Sequence, residues 1–174
     1  MFRAAIASTL IAVTMGAEAP KVPVELYFEA QCPGCQDFTT GALARVLDKP
    51  DMVAIIDLKL VAYGNAKQNA DGSFTCQHGA GECESDAQEL CTQYKLAGDI
   101  NAIQTGSTSL AAWPFILCME EAEGNPAEGE YCYNKTMNNT SVSWDVVSTC
   151  VKDEFNYVTT AAMNATPKHD CEFK

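Results

Sequence analysis

Positive charge is scarce in this chain: 11 Lys and Arg stand against 23 Asp and Glu, for a net charge of −12. No basic stripe or patch exists on which a phosphate backbone could lie, which excludes a nucleic-acid partner. Long apolar runs are scarce as well. The run Ala4 to Met15 is too short to span a bilayer and no other stretch is long enough, so no membrane insertion is expected. Internal repeats and low-complexity tracts are absent. Histidine occurs twice. His78 sits in a cysteine-bounded turn where structural hydrogen bonding is its simplest role, and His169 lies in a tail that reads as frayed. Trp113 and Trp144 read as core residues whose indole N–H groups need partners.

Cysteine, by contrast, is plentiful, with nine in 174 residues. A basic start, Met1-Phe2-Arg3, then an apolar run, then Gly16-Ala17-Glu18-Ala19, reads as a secretory signal peptide over residues 1–19. Residues 20–174 then form one domain with a sizeable insertion at about 64–165. In a secretory compartment the cysteines imply several disulfides. Four N-x-[ST] acceptors, Asn134, Asn138, Asn139 and Asn164, agree with that route and are candidate glycosylation sites. The acidic composition suits an acidic compartment, where protonation of carboxylates reduces self-repulsion.

Val24, Leu26, Phe28 and Ala30 share one face at period two, the mark of a strand. Cys32-Pro33-Gly34-Cys35 follows, and then Phe38, Ala42, Leu43, Val46 and Leu47 form a helical stripe. The CxxC therefore sits where a strand ends and a helix begins. Backbone N–H groups and the helix dipole there favour a thiolate over the free thiol, whose ordinary pKa is about 8.5. Pro33 suits a first helical turn because it has no N–H to leave unpaired. This chemistry is that of a dithiol exchanging with disulfides, Cys32 attacking and Cys35 resolving; a structural disulfide or half a zinc site are the alternatives.

After the breaker Asp48-Lys49-Pro50-Asp51, the stretch Val53 to Tyr63 predicts a second strand, giving a parallel βαβ unit and an α/β fold class. Gly64 to Thr75 predicts a polar loop. Cys76 to Cys83 is a compact turn, and Ser85-Asp86-Ala87-Gln88 resembles a capping box opening a helix that buries Ala87, Leu90, Cys91 and Tyr94 and stops at Gly98. Leu110 to Met119 predicts an apolar helix with Pro114 in its first turn, and Glu120 to Gly129 a polar exit. Trp144, Val147, Val151, Phe155 and Val158 predict a last helix.

The run Cys76-Gln77-His78-Gly79-Ala80-Gly81-Glu82-Cys83, with Cys91 beyond it, resembles the signature of the gamma-interferon-inducible lysosomal thiol reductase family. The passages Leu26 to Cys35, Tyr63-Gly64-Asn65-Ala66 and Cys118-Met119-Glu120-Glu121 resemble the same family, so the likeness runs from about Val22 to about Asn164. The resemblance implies a thioredoxin-like fold carrying a disulfide-rich helical insertion. It also implies an enzyme of the endocytic pathway, or an extracellular one, that reduces protein disulfides at acidic pH. Such an enzyme has no bound cofactor and draws on an external small thiol. Cys32 and Cys35 match its active pair, and Cys76, His78, Gly79, Glu82, Cys83 and Cys91 match its signature.

Two departures stand out. Asp86 occupies a position where the family usually has Asn. The family also continues past the final helix into a cis-proline strand, a further strand and a helix, for which Trp113-Pro114 lies too early. On this reading the C-terminal strands are missing, with weak activity and self-association as the expected results. The seven cysteines outside the CxxC leave their pairing open, with Cys171 the candidate for the odd one. Two other functions compete with the reductase: a zinc protein using Cys32, Cys35, Cys76 and His78, and a non-catalytic secreted binding module in which the CxxC is a staple.

Overall fold

A computed structural model describes residues 19–167. Most of the expected signal peptide, together with His169 and Cys171, lies outside the described residues. The chain begins with strand β1 (Val22–Phe28), followed by a helical stretch made of α1 (Pro33–Asp37), a π-helical turn (Phe38–Leu43) and α2 (Ala44–Leu47). A short helix α3 (Pro50–Ile55) leads into β2 (Ile56–Ala62), which pairs in parallel with β1 from Val22↔Ile56 to Phe28↔Ala62. The predicted βαβ unit is therefore present. Its second strand starts three residues later than the apolar run does, because Lys49 is extended and Pro50 opens a helical turn that takes in Val53. The helical stripe also differs. The π turn rotates Thr39, Leu43 and Leu47 into the core and leaves Phe38 half in solvent.

The expected polar loop contains a small antiparallel hairpin, β3 (Lys67–Gln68) with β4 (Phe74–Thr75). Beyond it the described chain is helical: α4 (Ala80–Ala97), α5 (Asn101–Thr105), α6 (Ser109–Glu121), a 3₁₀ turn (Pro126–Glu128), α7 (Gly129–Thr136), α8 (Trp144–Asp153) and α9 (Phe155–Ala165). No strand follows β4 among the described residues. Nor is any described helix long and apolar enough to cross a membrane.

Three helix predictions are corrected. Helix α4 starts at Ala80, with Gly79 as N-cap at a φ of 102° that favours glycine, so Ser85 and Asp86 lie inside the helix rather than capping it. Both face inward: Ser85 Oγ donates to the carbonyls of Gly124 (2.6 Å) and Gly81 (3.1 Å). Pro114 sits beyond the first turn of α6, and Glu120, expected in a polar exit, is buried at that helix's end. The last stripe breaks at Glu154 into α8 and α9.

A parallel strand leaves polar groups on its outer edge that must be paired if buried. On β2, side chains of the helices do this. The Leu60 N–H donates to Ser109 Oγ (2.9 Å), the Leu60 carbonyl accepts from Gln93 Nε2 (3.1 Å), and Ser109 Oγ donates to Gln93 Oε1 (3.0 Å). Gln93 and Ser109 are both fully buried. Gly106, at φ 72°, allows the approach, since a Cβ there would lie 2.7 Å from the Leu58 carbonyl oxygen. Among the described residues no such partner meets the outer edge of β1, where the sheet ends.

Disulfides Cys91–Cys150, tying α4 to α8, and Cys118–Cys132, tying α6 to α7, brace the helices, and Cys76–Cys83 closes the turn before α4. Cys91 and Cys150 are 59 residues apart. Replacing both by Ala is expected to lower unfolding free energy by about 4 kcal/mol through the regained freedom of the unfolded chain. Denaturant unfolding measures it; an unchanged midpoint would show that packing alone holds α4 to α8.

Candidate active site around Cys32 and Cys35

The cysteine-bearing turn is held from several sides. Phe28 and Ala30 are buried, which fixes the end of β1 in the core. The Glu29 carbonyl accepts from the Cys32 N–H (3.1 Å), and the Ala30 carbonyl accepts from Gln36 Nε2 (2.8 Å). The Ala30 N–H donates to Asp86 Oδ1 (2.9 Å), and Gln31 Nε2 donates to the Gly124 carbonyl (2.9 Å). Gly124, at φ 60°, lies against this turn so closely that a Cβ there would fall 2.1 Å from the Ala30 carbonyl oxygen. The result is the geometry expected of a CxxC: Cys32 is extended, Pro33 begins α1, and the Cys32 carbonyl accepts from the Gln36 N–H (3.0 Å).

Cys32 and Cys35 are unpaired and half-buried, and both line the same groove. Burial pushes the Cys35 thiol up to about 12, with the Cys32 thiol and Glu120 adding to the rise and a backbone hydrogen bond at Glu29 opposing it. Cys35 therefore stays a thiol in the resting dithiol. Leu26, Tyr27, Gly34 and Phe38 line an apolar groove of about 430 Å³ beside the two sulfurs.

The signature residues lie behind the same turn. Inside the loop closed by Cys76–Cys83, the His78 N–H donates to Glu82 Oε1 (3.0 Å) while His78 Nδ1 contacts Glu82 Oε2. On its other side Nδ1 faces Glu29 Oε2 at 3.8 Å. The second oxygen of Glu29 accepts from the Asn65 N–H. Gly64, at φ 46°, leaves room for this carboxylate, since a Cβ there would sit 2.3 Å from Glu29 Cγ. Burial raises Glu29 above the usual carboxylate range, against the hydrogen bond from Asn65. Donor atoms of Glu29, His78 and Glu82 lie within 4.8 Å of one another, a set that could hold a divalent cation.

The structure thus brings Cys76, His78, Gly79, Glu82 and Cys83 into one loop, with His78 lining a cavity together with Gln31, Pro33 and Gln36 of the cysteine-bearing turn, whereas Cys91 is committed to Cys150. The zinc set of Cys32, Cys35, Cys76 and His78 is overturned, because Cys76 is bonded to Cys83. Asn134, Asn138, Asn139 and Asn164 are all exposed. Sequence reasoning missed Glu29; its signal was a carboxylate directly after a strand's last core residue. It also missed the interior acids. Burial pushes Asp86 and Glu89 well above the usual range and Glu120 up to about 9; repulsion from Glu82 and Glu29 adds to the rise at Asp86 against the hydrogen bond from Ala30, repulsion from Glu120 and Asp86 adds at Glu89 and from Asp86 at Glu120, and neither oxygen of Glu89 or Glu120 has a hydrogen-bond partner.

A parallel strand–helix–strand unit that ends its first strand on an unpaired, half-buried dithiol defines a disulfide-braced CxxC thiol protein. The pattern of the family described as gamma interferon inducible lysosomal thiol reductase (GILT) matches residues 23–153, and the chain belongs to that family. It is 30% identical over 161 residues to the gamma-interferon-responsive lysosomal thiol protein of Arabidopsis thaliana, covering 86% of this chain and 64% of the relative. It is 33% identical over 142 residues to the gamma-interferon-inducible lysosomal thiol reductase of Carassius auratus (79% and 50%), and 43% identical over 76 residues to GILT-like protein 2 of Drosophila melanogaster (44% and 37%). The chain thus spans less than two thirds of each of these relatives.

The interior acids make stability pH-dependent with a definite sign. Their folded-state pKa values are raised, so their contribution is fully present below the ordinary carboxylate range and is lost as pH rises toward the raised values, near 9 for Glu120. The melting temperature is expected to fall from about pH 5 to pH 9, and Glu120→Gln to flatten that slope. A melting temperature that climbs over the interval would show these carboxyls to be ionised in the folded chain.

Proposed function

We propose that the protein is a thiol-disulfide oxidoreductase that reduces protein disulfides through Cys32 and Cys35, carried on a thioredoxin-like βαβ unit. The carrying observation is the pair of unpaired cysteines at a strand-to-helix junction in a chain whose other described cysteines are bonded. The names of its relatives as thiol reductases support the same reading.

In the first step the Cys32 thiolate attacks one sulfur of the substrate disulfide, forming a Cys32–substrate bond and releasing the other sulfur as a thiolate that takes up a proton. Cys35 then gives up its proton and attacks Cys32. The Cys32–Cys35 bond forms, and the substrate leaves with both sulfurs reduced and protonated. A small external thiol reduces the Cys32–Cys35 disulfide again, so the chain needs no bound cofactor. Holding Cys35 protonated at rest keeps a second negative charge out of the half-buried site until the mixed disulfide exists. The groove formed by Leu26, Tyr27 and Phe38 offers apolar surface for an unfolded segment carrying the target disulfide.

The setting that fits is the secretory route, in an acidic endocytic or lysosomal vacuole or outside the cell. The leader-like N-terminus, the four exposed asparagine acceptors and the interior acids that keep their protons at low pH all support it. The test is trapping. Cys35→Ser is expected to accumulate a mixed disulfide with a denatured, disulfide-containing protein at pH 5, while Cys32→Ser accumulates none. Trapping by the Cys32 variant would exchange the two roles, and trapping by neither would make the protein a non-catalytic binding module.

A further inference from the structure

We propose that Glu29, His78 and Glu82 form a zinc site, with Glu29 Oε2, His78 Nδ1 and Glu82 Oε2 as ligands, which ties the end of β1 to the signature turn and the start of α4. The proposal stands independently of the reductase reading.

Three separate segments supply the donors. Glu29 directly follows β1, His78 lies in the turn closed by Cys76–Cys83, and Glu82 stands in the first turn of α4. Their donor atoms lie within 4.8 Å of one another. Ligands held about 2.0–2.1 Å from a tetrahedral zinc stand about 3.3 Å apart. His78 Nδ1 and Glu29 Oε2, at 3.8 Å, need to close by only about half an ångström to reach that spacing. The same distance is too long for a hydrogen bond, so Glu29 Oε2 has none among the described residues, although only 2% of Glu29 is exposed. The other oxygen of Glu29 is pinned by the Asn65 N–H, which leaves Oε2 fixed and aimed at the imidazole. Glu82, fully buried, is arranged alike, with Oε1 held by the His78 N–H and Oε2 on Nδ1. Each carboxylate thus spends one oxygen on orientation and offers the other, as metal ligands do.

The surroundings call for a cation. No Lys or Arg pairs with Glu29 or Glu82 among the described residues, and Asp86 brings a further carboxylate oxygen within 4.8 Å of Glu82. Buried carboxylates are paired or coordinate metals, and a divalent ion balances both charges at once. The donors select the ion. Cys76 and Cys83 are bonded to each other and offer no thiolate, whereas two carboxylates and one imidazole suit zinc with water in the fourth position. The His78 side chain is 30% exposed and lines a cavity with Gln31, Pro33 and Gln36, which gives the ion a way in. Because the Glu29 carbonyl accepts from the Cys32 N–H, a bound ion also fixes the residue from which the cysteine turn hangs.

The experiment is a zinc titration of the full chain at pH 7, after chelation and removal of the chelator. Cys32 and Cys35 are first oxidised to a disulfide, so that their thiolates do not compete for the metal. Calorimetry reads the stoichiometry, and the visible spectrum of the cobalt-loaded chain reads the donors. One zinc per chain is expected, with no thiolate band in the cobalt spectrum and a melting temperature that rises with zinc. Residues that only hydrogen-bond a ligand are worth about 10–100-fold in affinity, so Glu29→Gln and His78→Gln are each expected to cost about 100-fold or more. Glu84→Gln, at an exposed position of α4, is expected to leave the affinity unchanged. Absence of stoichiometric zinc, a thiolate-dominated cobalt spectrum, or binding that the Glu29 and His78 variants retain overturns the proposal. If Glu29→Gln does not fold, His78→Gln carries the test, since its side chain reaches solvent.

Discussion

The bond from the Ala30 N–H to Asp86 Oδ1 is the constraint on which the site depends. It joins the turn before the cysteines to a helix 56 residues further on, and it is buried at both ends. Helix α4 is the centre of the helical layer, packed against α5, α6, α8 and α9 as well as β2, and it is stapled to α8 by Cys91–Cys150. Whatever positions α4 therefore positions the CxxC. The acceptor is a carboxyl that burial pushes toward its protonated form. A protonated Asp offers a carbonyl oxygen and one donor, much as an Asn does. Asp86 thus presents to the Ala30 N–H the same kind of acceptor that an Asn would.

Removing a buried partner of this kind costs more than the bond itself contributes, because the abandoned N–H is left dry. Here the effect would spread, since Ala30 also accepts from Gln36 and its carbonyl lies under Gly124. The turn has little freedom to relax. Such rigidity suits a dithiol, whose two sulfurs must meet to form a bond about 2.0 Å long and separate again when reduced.

Much of this was legible in the sequence where a local rule decided the matter. Period two gave β1, the strand–CxxC–helix order gave the dithiol at a helix start, and Gly98 ended α4 in a left-handed conformation as its position suggests. What failed were readings in which a local signal competed with burial. Ser85 and Asp86 have the residue types of a cap, but their hydrogen bonds go to Gly124 and Ala30, partners far away in the chain. Phe38 looked like core, yet a π turn carried it round to the groove beside the sulfurs. Glu29 carried no periodic signal, and Glu120 read as solvent-facing because an acid rarely goes inside unpaired. The passages around Glu29, Gly64 and His78 could each be recognised singly; that they meet at one carboxylate is a fact of three dimensions.

The clasp of Gln93 and Ser109 on Leu60 has a geometric result for the whole sheet. With the outward N–H and carbonyl of Leu60 already engaged, the β2 side of this sheet is closed at Leu60, and among the described residues its open margin runs along β1. That open margin belongs to the strand that runs on into Cys32, so a third strand added to this sheet along it would lie beside the dithiol.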